Sequence, residues 1–136
     1  MRRPLAALAT VLCATVLTAC AATASSSSFK GAEHEAAQTL TNFQADATAD
    51  NEHKICANDL AAVVVTRLKG SKRCEAAIKT QLGETDSLEL AIESVKVAPD
   101  GTSATAQTNG VYRGKKRLQT VTLVKEDGKW KLSGVQ

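Results

Sequence analysis

Residues 95–132, VKVAPDGTSATAQTNGVYRGKKRLQTVTLVKEDGKWKL, carry three turn signals: Pro99-Asp100-Gly101-Thr102, Arg113-Gly114-Lys115-Lys116 and Glu126-Asp127-Gly128-Lys129. Asp-Gly and Gly-containing pairs adopt the turns whose twist matches that of antiparallel strands. With the turns centred at 100–101, 114–115 and 127–128, a register follows. Val97 faces Ala104 and Val95 faces Ala106 across the first hairpin. Ala106 faces Leu123 and Thr108 faces Val121 across the second. Leu123 faces Leu132 and Lys125 faces Trp130 across the third. One face then collects Val95, Val97, Ala104, Ala106, Val121, Leu123, Trp130 and Leu132, because side chains alternate with a period of two. Three turns that agree on one apolar face predict a four-stranded antiparallel meander. Leu88, Leu90 and Ile92 have the opposite parity, so a bulge near Glu93-Ser94 is expected to return them to the core side.

Upstream the period changes from two to that of a helix. Ala36, Leu40, Phe43 and Ala47 recur at spacings of four, three and four between Ala32 and Ala49, leaving Glu33, Glu35 and Gln38 off the stripe. Asp50-Asn51 interrupts and can cap a second helix through Ile55, Cys56 and Leu60. Ala61–Leu68, with three consecutive valines, fits either a continued helix or a short strand. Gly70-Ser71 breaks it, and a third helix is expected from Lys72 to Leu82, ending at Gly83. Helices first, then a curved sheet with one apolar face, give an α+β fold with the helices lying across that face.

The first twenty residues belong to another task. Arg2 and Arg3 precede an uncharged apolar run, Leu5 to Leu17, too short to span a bilayer comfortably. The run closes on Leu17-Thr18-Ala19-Cys20, which resembles the lipobox of bacterial lipoproteins. That resemblance implies a signal over 1–19, a diacylglycerol on Cys20, and attachment to the extracytoplasmic face of a cell membrane. Ala21–Ser28 is small and uncharged, so residues 20–31 are expected to act as a tether. Residues 32–136 form a single domain. Losing Arg2 and Arg3 leaves 15 Lys+Arg against 14 Asp+Glu, a net charge of +1. That balance argues against nucleic acid as a partner. The basic cluster Arg113, Lys115, Lys116 and Arg117 falls at a hairpin tip and reads as a solvated turn.

Of four cysteines, Cys13 leaves with the signal and Cys20 is the lipid site. Cys56 and Cys74 remain as an even pair in a compartment that permits disulfides, and a disulfide is expected between them. The alternative, a metal or redox pair helped by His34 and His53, lacks a zinc-type spacing or a Cys-x-x-Cys. No metal and no cofactor are expected.

The order of elements resembles the nuclear-transport-factor-2-like superfamily. The likeness rests on the Ala36–Ala47 helix, the paired Cys56 and Cys74 helices, and the closing strand Asp127-Gly128-Lys129-Trp130-Lys131-Leu132. A cystatin-like helix-and-meander arrangement is the alternative. The resemblance implies a pocket between sheet and helices, which Ala104, Ala106, Thr108, Val121 and Leu123 would line and which helix side chains could instead fill. It also implies an aspartate or histidine base in the superfamily's enzymes. Candidates here are Asp46, His53, Asp59 and Tyr112, with Asp46–Tyr112 the one pairing to nominate. None falls in a catalytic motif, and no nucleophile elbow, phosphate loop or dinucleotide fingerprint is present. The expected function is therefore a non-enzymic binding or accessory module at the cell envelope, attached through lipid on Cys20 and acting on an envelope protein partner. A carrier or sensor of a small apolar ligand is the alternative, ahead of an isomerase- or dehydratase-like enzyme.

Overall fold

The computed structural model describes residues 25–85, 89–112 and 114–136, and of Tyr112 the backbone alone. The signal, Cys13, Cys20, Leu88 and Arg113 lie outside the described residues. Four strands form one antiparallel sheet in sequence order: β1 (Leu90–Val97), β2 (Ser103–Tyr112), β3 (Lys115–Glu126) and β4 (Lys129–Val135). Helices precede them: α1 (Gly31–Thr48), the single turn α2 (Glu52–Lys54), α3 (Ala62–Arg67) and α4 (Ser71–Gly83). This is the α+β class expected from the change of period.

The outer hairpins have the expected register. Val95 faces Ala106, Val97 faces Ala104, Leu123 faces Leu132 and Lys125 faces Trp130. The extra residue in β1 falls at Glu93, between the pairs Ile92–Thr108 and Ser94–Gln107. The middle hairpin departs from the expected pairing. Tyr112 faces Lys115, so the loop is residues 113–114, and Ala106 meets Val121 while Ala104 meets Leu123. Gly114 takes φ +72°, a conformation glycine adopts without steric cost, and this places it second in the loop rather than first. The correction slides β3 by two residues, which preserves the face of every side chain. Val95, Ala104, Ala106, Val121, Leu123, Trp130 and Leu132 are accordingly all buried.

Helix α1 lies on this face, packing on β1, β2 and β4. Ala36, Ala37 and Leu40 are fully buried and Ala47 nearly so. Alanines toward the sheet let the helix axis approach closely, and Leu40 supplies about 1.5–3 kcal/mol by burial. The chain is docked before the helix begins: Ser26 Oγ donates to Gln38 Oε1 at 2.8 Å, and Phe29 packs against the core. Within the stretch 20–31, read as a flexible tether, Ser26 is thus bound to the Gln38 side-chain amide of α1, while residues 20–24 lie outside the described residues.

Asn51 caps α2, its side chain accepting from the Lys54 N–H at 3.1 Å. The second helix does not run on to Leu60 as an α-helix. It widens into a π-helical turn over Ile55–Asp59, closed by Leu60 N–H to Ile55 C=O at 3.0 Å. Leu60 then bridges Leu132, and Ala61 N–H donates to Leu132 C=O at 2.8 Å, fixing the segment to the sheet edge. The ambiguous valine run is helical. Its N-terminus is satisfied by Glu126, whose carboxylate accepts from the Ala62 N–H at 3.0 and 3.2 Å. A disulfide joins Cys56 on the π turn to Cys74 on α4, with Cα atoms 6.1 Å apart.

Candidate functional site

Among the described residues, α1 borders two hollows. The first is a cavity of about 360 Å³ between the sheet and the helices. Leu40 and Phe43 of α1, Leu60, Val64 and Leu68 around α3, and Ile78 of α4 form its helical wall. Leu90, Val121, Leu132 and Val135 form the strand wall, and Arg67, Gln119 and Ser133 supply the polar side chains. This composition, apolar walls with few polar groups, is that of a small-molecule pocket at the lower end of the usual ~300–1,000 Å³ range.

Of the five residues expected to line a pocket, Val121 borders this cavity. Ala104, Ala106, Thr108 and Leu123 are buried and border neither hollow. The physical reason is the alanine stripe of α1: small residues on both surfaces draw helix and sheet together instead of leaving space. The open volume lies farther along, where the sheet is covered by the short α3 and by α4 rather than by α1 alone.

The second hollow, about 420 Å³, is polar. It lies between α1, the π turn and the start of β4, bordered by His34, Gln38, Asn42, Asn58, Asp59 and the backbone turn into Trp130. Much of its polarity is spent internally. His34 Nδ1 contacts Ser26 C=O at 2.8 Å, and Gln38 Nε2 donates to Asn42 Oδ1 at 3.1 Å. Lys125 pairs with Glu35 at 3.3 Å and stands 5.4 Å from the centre of the Trp130 ring. Trp130 is buried, as the sheet pattern requires, with its Nε1 hydrogen unpartnered among the described residues.

Asp59 is the chemically distinctive group here. The π turn rotates it inward, where it is 5% exposed. Burial pushes its carboxyl up to about 7, aided by the charge of Asp46 and a hydrogen bond with it, against the opposing charges of Lys131 and Lys54. Asp59 therefore exchanges its proton near neutral pH, beside Asp46. Asp59 Oδ2 has no partner among the described residues.

The nominated Asp46 is thus brought to Asp59 and, at 3.8 Å, to Lys54. The Tyr112 side chain lies outside the described residues. His53 is exposed and pairs with Glu75 at 2.8 Å. Lys115, Lys116 and Arg117 are exposed at the hairpin tip. Among the described residues no group of three metal-binding side chains converges. Sequence reasoning missed the Asp59–Trp130 hollow and the cation at the rim of the apolar cavity. The signals were an acid within the apolar Ile55–Leu60 run and a charge run, Arg67 to Arg73, without an intervening acid.

No protein-family model and no curated protein matches the chain. Among solved structures, the intermembrane space region of the chloroplast protein ARC6 is similar, with a TM-score of 0.52 and 11% identity. The match covers 79% of this chain and 97% of that one. At that identity the likeness is one of fold.

Proposed function

We propose that the chain is exported, anchored through lipid on Cys20 to the extracytoplasmic face of a bacterial cell membrane, and works there as a non-enzymic binding module. The Leu17-Thr18-Ala19-Cys20 motif supports the anchor, and the Cys56–Cys74 disulfide suits an oxidising compartment. The nuclear-transport-factor-2-like assignment belongs to this proposal, the helix-over-meander architecture being its support. The apolar cavity under α3 carries the binding reading and favours carriage or sensing of a small apolar ligand over protein contacts alone. Asp59, the group best poised to exchange a proton at neutral pH, borders the other hollow, so an acid–base residue and an apolar substrate would not meet. That separation is the ground for a non-enzymic reading.

The anchor is tested by growing a bacterial host that expresses the full chain with an alkyne-tagged fatty acid. Label in the membrane fraction that Cys20→Ser abolishes is the expected result; label that persists in the variant would refute the anchor. Binding is tested by mass spectrometry of apolar extracts from the purified chain. Material displaced in the Val64→Asp variant is expected, and identical extracts from both would remove the cavity from the function.

A further inference from the structure

The apolar cavity has a charge asymmetry at its rim. Arg67, the last residue of α3, is exposed and borders the cavity. Lys69, Lys72 and Arg73 follow it, all exposed, and no acid occurs between Leu60 and Cys74. None of these four cations forms an ion pair among the described residues; the ion pairs there involve His53, Lys54 and Lys125. Val135, also exposed, borders the same cavity, so the opening is flanked by an apolar side chain as well as a guanidinium. Leu40, Leu90, Val121 and Leu132, all buried, form the interior. Apolar depth with a single unpaired cation at the rim is complementary to a ligand with a chain at one end and an anion at the other. A neutral hydrocarbon would leave the guanidinium without a use, and a protein side chain would reach the depth less well than a flexible chain.

We propose that the cavity takes the hydrocarbon chain of a fatty acid and that Arg67 holds its carboxylate at the rim, with the Lys69–Arg73 turn adding attraction. This rests on the apolar-ligand reading given above and names the ligand class. A guanidinium presents two parallel N–H groups that fit a carboxylate, a geometry an ammonium does not reproduce. The chain is buried for its hydrophobic transfer energy, and the head group sets orientation. An anionic leaflet beside the anchor would attract the basic turn and bring the cavity opening to the surface into which such chains partition.

The test uses the mature polypeptide, residues 20–136 with Cys20→Ala, which retains every described element and the disulfide. The fluorescent probe is cis-parinaric acid, displaced by dodecanoate or by dodecan-1-ol, two competitors with the same chain and different heads. Dodecanoate is expected to compete better by about fivefold, the scale of one partly exposed ion pair. Arg67→Gln should erase that preference while leaving dodecanol competition unchanged, and Val135→Glu should weaken dodecanoate selectively. Lys115→Gln, at the distant hairpin tip, should change neither. Equal competition by both compounds, insensitive to Arg67→Gln, would overturn the head-group assignment and leave the apolar-ligand reading standing. An equal loss with Lys115→Gln would reduce the effect to general charge and overturn it as well. No uptake of the probe at all would refute both readings together.

Discussion

The two hollows beside α1 are similar in size, about 360 and 420 Å³, and opposite in chemistry. The cavity under α3 is walled mainly by aliphatic and aromatic side chains, with Arg67, Gln119 and Ser133 its polar ones. The hollow at the π turn is walled by amides, a histidine and a buried acid, of which Gln38 bonds Asn42 and His34 bonds the Ser26 carbonyl. Volume alone therefore does not identify a ligand site. What separates them is the kind of unspent interaction capacity: apolar surface and a free guanidinium on one side, and the unpartnered Asp59 Oδ2 and Trp130 Nε1 hydrogen of two lining residues on the other.

The comparison can be broken most severely at Leu40, which is fully buried and reaches the apolar cavity. Leu40→Ala should cost about 3–4 kcal/mol, from lost transfer energy plus the enlarged void. Denaturant unfolding measures it, and a cost below about 1 kcal/mol would mean the site collapses rather than opens. The disulfide comes next, since it ties the π turn of the polar hollow to the helix that walls the apolar one. Cys56→Ala with Cys74→Ala should cost about 3 kcal/mol through the entropy of the opened loop. It should also weaken uptake of an apolar probe; unchanged uptake would show that α4 is held by packing alone.

Asp59 sharpens the polar side through pH. Its carboxyl is raised from 3.8 to about 7, so the folded chain binds its proton more tightly than the unfolded one. The associated stability is fully present below about pH 4 and is lost as pH rises toward 7. Asp59→Asn should flatten this slope and be more stable than the parent at pH 8, by on the order of 2 kcal/mol. Thermal unfolding between pH 4 and 8 measures it, and parallel curves for the two proteins would refute the buried-acid account. The smallest effect is expected at Trp130→Phe. The smaller benzene ring removes the unpartnered Nε1 hydrogen but leaves a void at a buried position, so stability should fall by about 1–2 kcal/mol. A loss well above about 3 kcal/mol would point to a partner for that hydrogen.

The legible and illegible parts divide by whether the controlling contact is local. Asp127-Gly128 and Pro99-Asp100-Gly101-Thr102 set their own turns, with Asp100 Oδ1 accepting from the Thr102 N–H at 3.0 Å. That bond also holds the Asp100 carboxyl below its usual range. The outer registers followed from these turns. Arg113-Gly114-Lys115-Lys116 offers two placements of one glycine, and the backbone conformation chosen for Gly114 shifted the pairing by two. The π turn left no trace in the periodicity, because one wider turn rotates Asp59 inward without changing any residue type. Ala104 and Ala106 left open whether the space above them is a pocket or filled, and small residues there bring α1 down onto the sheet.

The sequence by itself determined the meander and its buried face, the helix stripe of α1, the cap at Asn51 and the even cysteine pair. Each depends on neighbours a few residues apart or, for the cysteines, on counting. Only the tertiary structure decided where the open volume lies, that Asp46 meets Asp59, and that Arg67 stands at the rim of an apolar cavity. Those facts depend on how closely helix and sheet approach, and that distance is set by side chains far apart in the chain.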